Sequence, residues 1–258
     1  MTAGLRTPLL DFFRRGDVAR DVRLMAAQGA IAPRPLEQLG LLVLLTSDPD
    51  PDIRETAEAT LSRIPPAVLS GFLARSEVPD EWRTFFADRG IAAAAVAGEE
   101  PELLPDGEPG DEGPEPVTED DKASMVRRLA AMSVPERVKA AMKGTREVRA
   151  VLVRDPNKLV AMSVLSSPKL TEAEVEAIAR MGSVSEDVLR TIGQSRAWTK
   201  NYGILSGLVR NPKTPIAISL TLLQRVTDRD LKAVSIDRNV PDPLRIAARK
   251  RVVLGEKR

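Results

Sequence analysis

Apolar positions in the C-terminal half of the chain keep a fixed register. Val160, Val188, Ile216 and Leu244 each stand five residues after Asp155, Ser183, Asn211 and Asn239, and Val164, Ile192, Leu220 and Ala248 stand nine after them. The four start positions are 28 residues apart, and the phrase "LVRDP" at 152–156 returns as "LVRNP" at 208–212. Agreement at several independent offsets marks an internal repeat. Threonines sixteen residues after the first three starts (Thr171, Thr199 and Thr227) are candidate helix caps. Thr171 with Glu174 reads as a capping box, Thr227 with Asp230 as a looser one, and Thr199 lacks the acidic partner. Pro156, Pro212, Pro215 and Pro241 fall where helices should begin, where proline costs little. Each unit therefore reads as two short helices, as in "NKLVAMSVL" followed by "TEAEVEAIARMG" across the break "SSPKL". The stretch 133–154 reads as a shorter hairpin, with Thr145 opening its second helix.

Upstream the signal weakens. Asp48-Pro49 and "SEVP" at 76–79 lie about one repeat apart, with two helix-like stretches between them, and "DEWRTFFADRG" reads as a closing helix. Residues 1–94 are read as a few degenerate hairpins. The longest apolar run, "LGLLVLL" at 39–45, falls far short of the roughly 20 residues of a membrane span. Charge within the first fifteen residues and the lack of an apolar stretch leading to small residues argue against a signal peptide.

These phased hairpins with Asp/Asn-Pro starts resemble HEAT-like repeats, and more closely the leucine-rich-repeat-variant type of bacterial helical solenoid. The resemblance covers 133–254 well and 1–94 poorly. It implies an all-α fold: a right-handed α-solenoid of stacked helical hairpins with a repeat of about 28 residues. The solenoid would form two blocks, 1–94 and 122–258, joined by a disordered linker at 95–121. Proteins of the variant-repeat type can carry an iron–sulfur cluster on N-terminal cysteines. This chain has no cysteine, so no cofactor is expected from the resemblance.

Composition changes the picture in two ways. With neither cysteine nor histidine, thiolate chemistry, Cys/His zinc sites and imidazole catalysis are excluded, and the chain reads as non-enzymatic. The net charge of +1 conceals a segregation. Residues 1–96 hold 11 basic and 13 acidic side chains, residues 97–121 none basic and 11 acidic, and residues 122–258 hold 27 basic and 13 acidic. The segment "AGEEPELLPDGEPGDEGPEPVTEDD" (97–121) is too poor in large apolar residues to offset its ordering entropy. Its Leu103 and Leu104 read as an incidental pair or a short docking motif.

Candidate binding residues follow from that asymmetry. Arg154, Arg210 and Arg238 precede repeat starts, with Gly182 at the fourth place. They form either a partial ladder for acidic partners or caps on helix carbonyls and pairs with Asp155 and Asp237. In "RAWTKNY" (196–202), Trp198 and Tyr202 are four apart. They read as core, or as an exposed aromatic pair flanked by Arg196, Lys200 and Arg210. Arg127, Arg128, Arg137, Lys139, Lys143, Arg146, Arg149 and Arg154 crowd into 28 residues and read as a solvated charge run or one basic surface. The acidic linker could contact that surface within the same molecule. The tail "AARKRVVLGEKR" reads as a polar end-cap. The expected function is a bacterial, cytoplasmic scaffold or adaptor binding an acidic protein or peptide through the C-terminal solenoid. The alternative is a nucleic-acid-binding protein using the same basic surface.

Overall fold

The computed structural model describes residues 7–31, 34–95 and 119–255. The acidic segment with Leu103 and Leu104 lies largely outside these residues, as do the last three residues of the basic tail. Among the described residues the regular structure is all helical: sixteen α-helices and one 3-10 turn, with no strand. They fall into two compact units. The first runs to Gly144 and includes Ser166–Pro168; the second holds Thr145–Leu165 and continues from Lys169.

The first unit contains α1 (Pro8–Arg15), α2 (Arg20–Ala27), α3 (Pro35–Leu45), α4 (Pro51–Ser62), α5 (Pro66–Leu73), α6 (Asp80–Ala87), α7 (Glu119–Ala131) and α8 (Val134–Lys143). Proline stands in the first turn of α1, α3, α4, α5 and α8, where its missing N–H would have no partner in any case. The apolar run at 39–45 forms most of α3, and Leu39, Leu41, Leu42 and Leu45 are buried. Leu39 and Leu42 pack with Leu61, Leu69, Phe72, Trp82 and Phe86 into one core. Gly40 is fixed by that packing, because a Cβ there would sit 2.6 Å from the Trp82 ring. Helix α7 begins at Glu119, three residues before the block boundary read from sequence. Ser133 and Glu136 close a capping box on α8, and these hydrogen bonds hold the Glu136 carboxyl below its usual range.

The second unit contains α9 (Arg146–Leu152), α10 (Lys158–Val164), α11 (Glu172–Arg180), α12 (Glu186–Gln194), α13 (Tyr202–Arg210), α14 (Ile216–Leu223), α15 (Asp228–Ile236) and α16 (Asp242–Gly255). A 3-10 turn at Trp198–Lys200 precedes α13. Contacts alternate along the chain. Helix α11 packs on α9 and α13, while α12 packs on α10 and α14, and α14 packs on α16. Arg149, grouped by sequence with the surface charges, is instead 4% exposed. It donates from Nε and Nη2 to the Glu174 carboxylate at 2.9 and 3.0 Å, tying α9 to α11. Glu174 also accepts from the Thr171 N–H, so a single carboxylate serves both the capping box and the ion pair.

The spacing of these helices revises the 28-residue register. The starts of α10, α12, α14 and α16 are separated by 28, 30 and 26 residues. From α11 to α12, from α13 to α14 and from α15 to α16 the step is always fourteen residues. The returning steps, α10 to α11, α12 to α13 and α14 to α15, are 14, 16 and 12. All the variation therefore lies on one edge, where the 3-10 turn occupies the longest return. The opposite edge carries turns of uniform length.

The same irregularity displaces a predicted cap. Thr199 is buried in the 3-10 turn, with its hydroxyl donating to the Ser195 carbonyl. Asn201 caps α13 instead, its Oδ1 accepting from Gly203 and Ile204 N–H. Thr171 and Thr227 cap α11 and α15 as read from sequence, but only the first closes a box: the Thr227 hydroxyl accepts the Asp230 N–H at 3.4 Å, while the Thr227 N–H donates to the Tyr202 hydroxyl. Pro156 and Pro212 stand inside the turns that precede α10 and α14, while Pro215 is the cap residue of α14.

A candidate binding edge on the second unit

The uniform turns share a local device. Asp155, Asn211 and Asp237 each accept, through Oδ1, the N–H two residues on: Asn157 at 2.8 Å, Lys213 at 3.0 Å and Asn239 at 2.9 Å. This is an Asx turn, which short Asn and Asp side chains form readily. Asp48 does the same in the first unit, accepting from the Asp50 N–H at 2.9 Å. Asn211 and Asp237 are the residues directly after α13 and α15, and Met181 holds that place after α11. Asp155 lies three residues past α9 and is matched to Asn211 and Asp237 by its Asx turn, so the positions compared are Asp155, Met181, Asn211 and Asp237. The sequence register named Ser183 and Asn239, two residues further on in two of the four turns.

Asn211 explains why the second copy of the pentapeptide ends in Asn-Pro. Its side chain is 4% exposed, and its Nδ2 donates to the Ala179 and Met181 carbonyls at 2.8 and 3.0 Å. Those carbonyls belong to the C-terminal end of α11, where four acceptors lack intrahelical partners. An amide can donate to them, and a carboxylate cannot.

Correcting the register rebuilds the arginine ladder. The residues just before the equivalent positions are Arg154, Arg180 and Arg210, with Ile236 fourth. Gly182 left a gap only because the alignment was two residues out, and Arg180 fills it. A signal for it was present in the parallel endings "LVRD", "IARM" and "LVRN". All three arginines are exposed. Arg154 Nη2 lies 3.5 Å from Met181 Sδ on the next turn. Arg180 pairs with Glu176 one turn back on its own helix. Arg210 donates to Asp230 Oδ1 at 2.5 Å. Arg238 is exposed one residue past Asp237, so it lies off the ladder.

Between the second and third rungs the surface opens into a hollow of about 470 Å³, lined by Arg180, Ser206, Gly207, Arg210, Asn211, Pro212, Asp237 and Asn239. Gly207 forms part of its floor, where a Cβ would lie 3.1 Å from Arg180 Cγ and 3.3 Å from Ala179 Cβ. Arginine stays protonated at physiological pH and offers five N–H donors without an acceptor, so the guanidiniums of this edge are equipped to bind anions. No group of three or more carboxylates is placed to hold a metal ion among the described residues.

The other sequence-derived candidates are dispersed. Arg127 and Arg128 are exposed on α7, Lys139 is exposed and Lys143 half-buried on α8, all in the first unit. Arg146 is exposed at the start of α9 in the second. Arg196 and Lys200 are exposed in the return around the 3-10 turn. Trp198 and Tyr202 do not share a helix face, because Asn201 between them is extended and α13 begins only at Tyr202. Trp198 is half-buried. Tyr202 is 39% exposed, and its hydroxyl donates to Asp230 beside Thr227. Tyr202, Ser206 and Arg210 follow at four-residue steps, so one face of α13 reaches Thr227 and Asp230 at the start of α15. Against this geometry, no protein-family model, curated protein or solved structure matches the chain.

Proposed function

We propose that the second unit is a HEAT-like helical repeat and that the protein is a non-enzymatic adaptor, holding an acidic protein or peptide along its uniform turn edge. Alternating contacts between α9, α11 and α13, and between α10, α12, α14 and α16, support the stacked-hairpin reading. The observation that carries the function is the ladder of Arg154, Arg180 and Arg210 on successive turns. Each rung makes one side-chain contact among the described residues and keeps further guanidinium donors for a partner. The surrounding charge favours the same partner, because Thr145–Leu165 and residues 169–258 together hold 21 basic and 12 acidic side chains.

Nucleic acid fits this edge less well. Stacking platforms need exposed aromatic faces, and here Trp198 is half-buried while the Tyr202 hydroxyl is held by Asp230.

Fluorescence anisotropy of the full chain against a labelled glutamate-rich peptide and a labelled DNA duplex decides between the readings. At about 50 mM salt the peptide is expected to bind with a Kd on the order of 1–100 μM, weakening several-fold at about 200 mM. Tighter binding of the duplex than of the peptide would hand the edge to nucleic acid. Absence of peptide binding at low salt would overturn the adaptor reading.

A further inference from the structure

We infer that the edge recognises an extended acidic segment whose carboxylates recur at every third residue, with one carboxylate seated between Arg180 and Arg210. This deepens the adaptor reading and rests on it. Arg180 and Arg210 are the last residues of α11 and α13, and Arg154 stands two residues past α9; these three helices pack in succession. Helices in contact lie roughly 8–10 Å apart, so adjacent rungs repeat at about 10 Å. An extended chain advances about 3.3 Å per residue, so three residues span the same distance. A helical partner would present its carboxylates every seventh residue to match, and would be too wide to enter the hollow between the rungs.

The hollow supplies the rest of the recognition. Arg180 and Arg210 each use Nη2 on a neighbouring carboxylate and retain Nε and Nη1, enough for a charge-assisted contact to a further one. Ser206 and Asn239 line the same space with a hydroxyl and an amide, suited to the main chain of the guest. Asp237 lines the same hollow with its Oδ1 accepting the Asn239 N–H; it keeps its negative charge, so the guest carboxylate is placed on the Arg180 and Arg210 side. Asn211 removes another obstacle: its amide covers the Ala179 and Met181 carbonyls, which would otherwise face an incoming anion.

Two labelled peptides of identical composition test the spacing on the full chain: Glu-Gly-Gly-Glu-Gly-Gly-Glu and Gly-Gly-Glu-Glu-Glu-Gly-Gly. The spaced peptide is expected to bind about fivefold tighter. Arg180→Gln, which among the described residues breaks only an ion pair within its own helix, should abolish that preference. Arg229→Gln, an exposed cation in the first turn of α15, should leave it intact. Equal affinity for both peptides, or a preference that survives Arg180→Gln, overturns the spacing inference while leaving an acidic-partner adaptor standing. Failure of both peptides to bind wild-type protein overturns the spacing inference and the adaptor reading together.

Discussion

Glu37 stands in the first turn of α3 with 2% of its surface exposed, and among the described residues neither carboxylate oxygen has a hydrogen-bond partner of acceptable geometry. Burial raises its pKa, and the Arg34 charge and the Thr7 hydroxyl pull in the other direction only in part. A carboxyl whose native pKa exceeds its unfolded value binds its proton more tightly when folded. Its contribution to stability is then complete below the ordinary carboxylate range and declines as pH rises through the raised native value. Glu37→Gln keeps the shape and removes the titration. Melting curves at about pH 4 and about pH 8 should show a variant that gains on the wild type as pH rises. Parallel curves at both pH values would refute the assignment. Nothing local in "RPLEQLGLL" marks Glu37 as buried, since a glutamate in a first helical turn is ordinarily exposed and favoured there. Arg149 shows the same blindness from the other side. It looked like one charge among many, and its pairing with Glu174, 25 residues away, accompanies its burial.

Local signals served better for the helices themselves. The Thr171 and Thr227 caps, the Asx-Pro turns and the paired short helices were legible because each depends on residues within one turn of chain. Thr199 failed as a cap because two extra residues in that return fold into a 3-10 turn, and the offset count could not register an insertion. How one hairpin attaches to the next was not legible, and Asn211 carries part of that attachment. Asn211→Asp would face the Ala179 and Met181 carbonyls with a carboxylate, losing two hydrogen bonds and adding repulsion. Urea denaturation should show a loss of about 1–3 kcal/mol. A change below about 0.5 kcal/mol, the range of ordinary surface substitutions, would mean those bonds do not hold α13 to α11.

Each of the two units has its own buried apolar residues, from Leu39, Leu42, Phe72 and Trp82 in the first to Val160, Val188, Ile204 and Leu208 in the second. Leu42 is fully buried, so Leu42→Ala should cost about 2–5 kcal/mol in the first unit. Amide exchange should accelerate across α3 to α6 and stay unchanged in α11 to α15, as separate cooperative blocks require. Uniform acceleration in both units would show that they unfold as one. By itself the sequence determined the all-helical class, the caps of α11 and α15, the mean spacing of the repeat-region helices and the exclusion of thiol and imidazole chemistry. These follow from composition and from interactions between near neighbours. Only the tertiary structure decided that Arg180 joins the ladder, that Arg149 leaves the surface, and that a hollow opens between two rungs. Those outcomes depend on which turn lies beside which, and contacts between residues some 25 positions apart, not the local pattern, set that register.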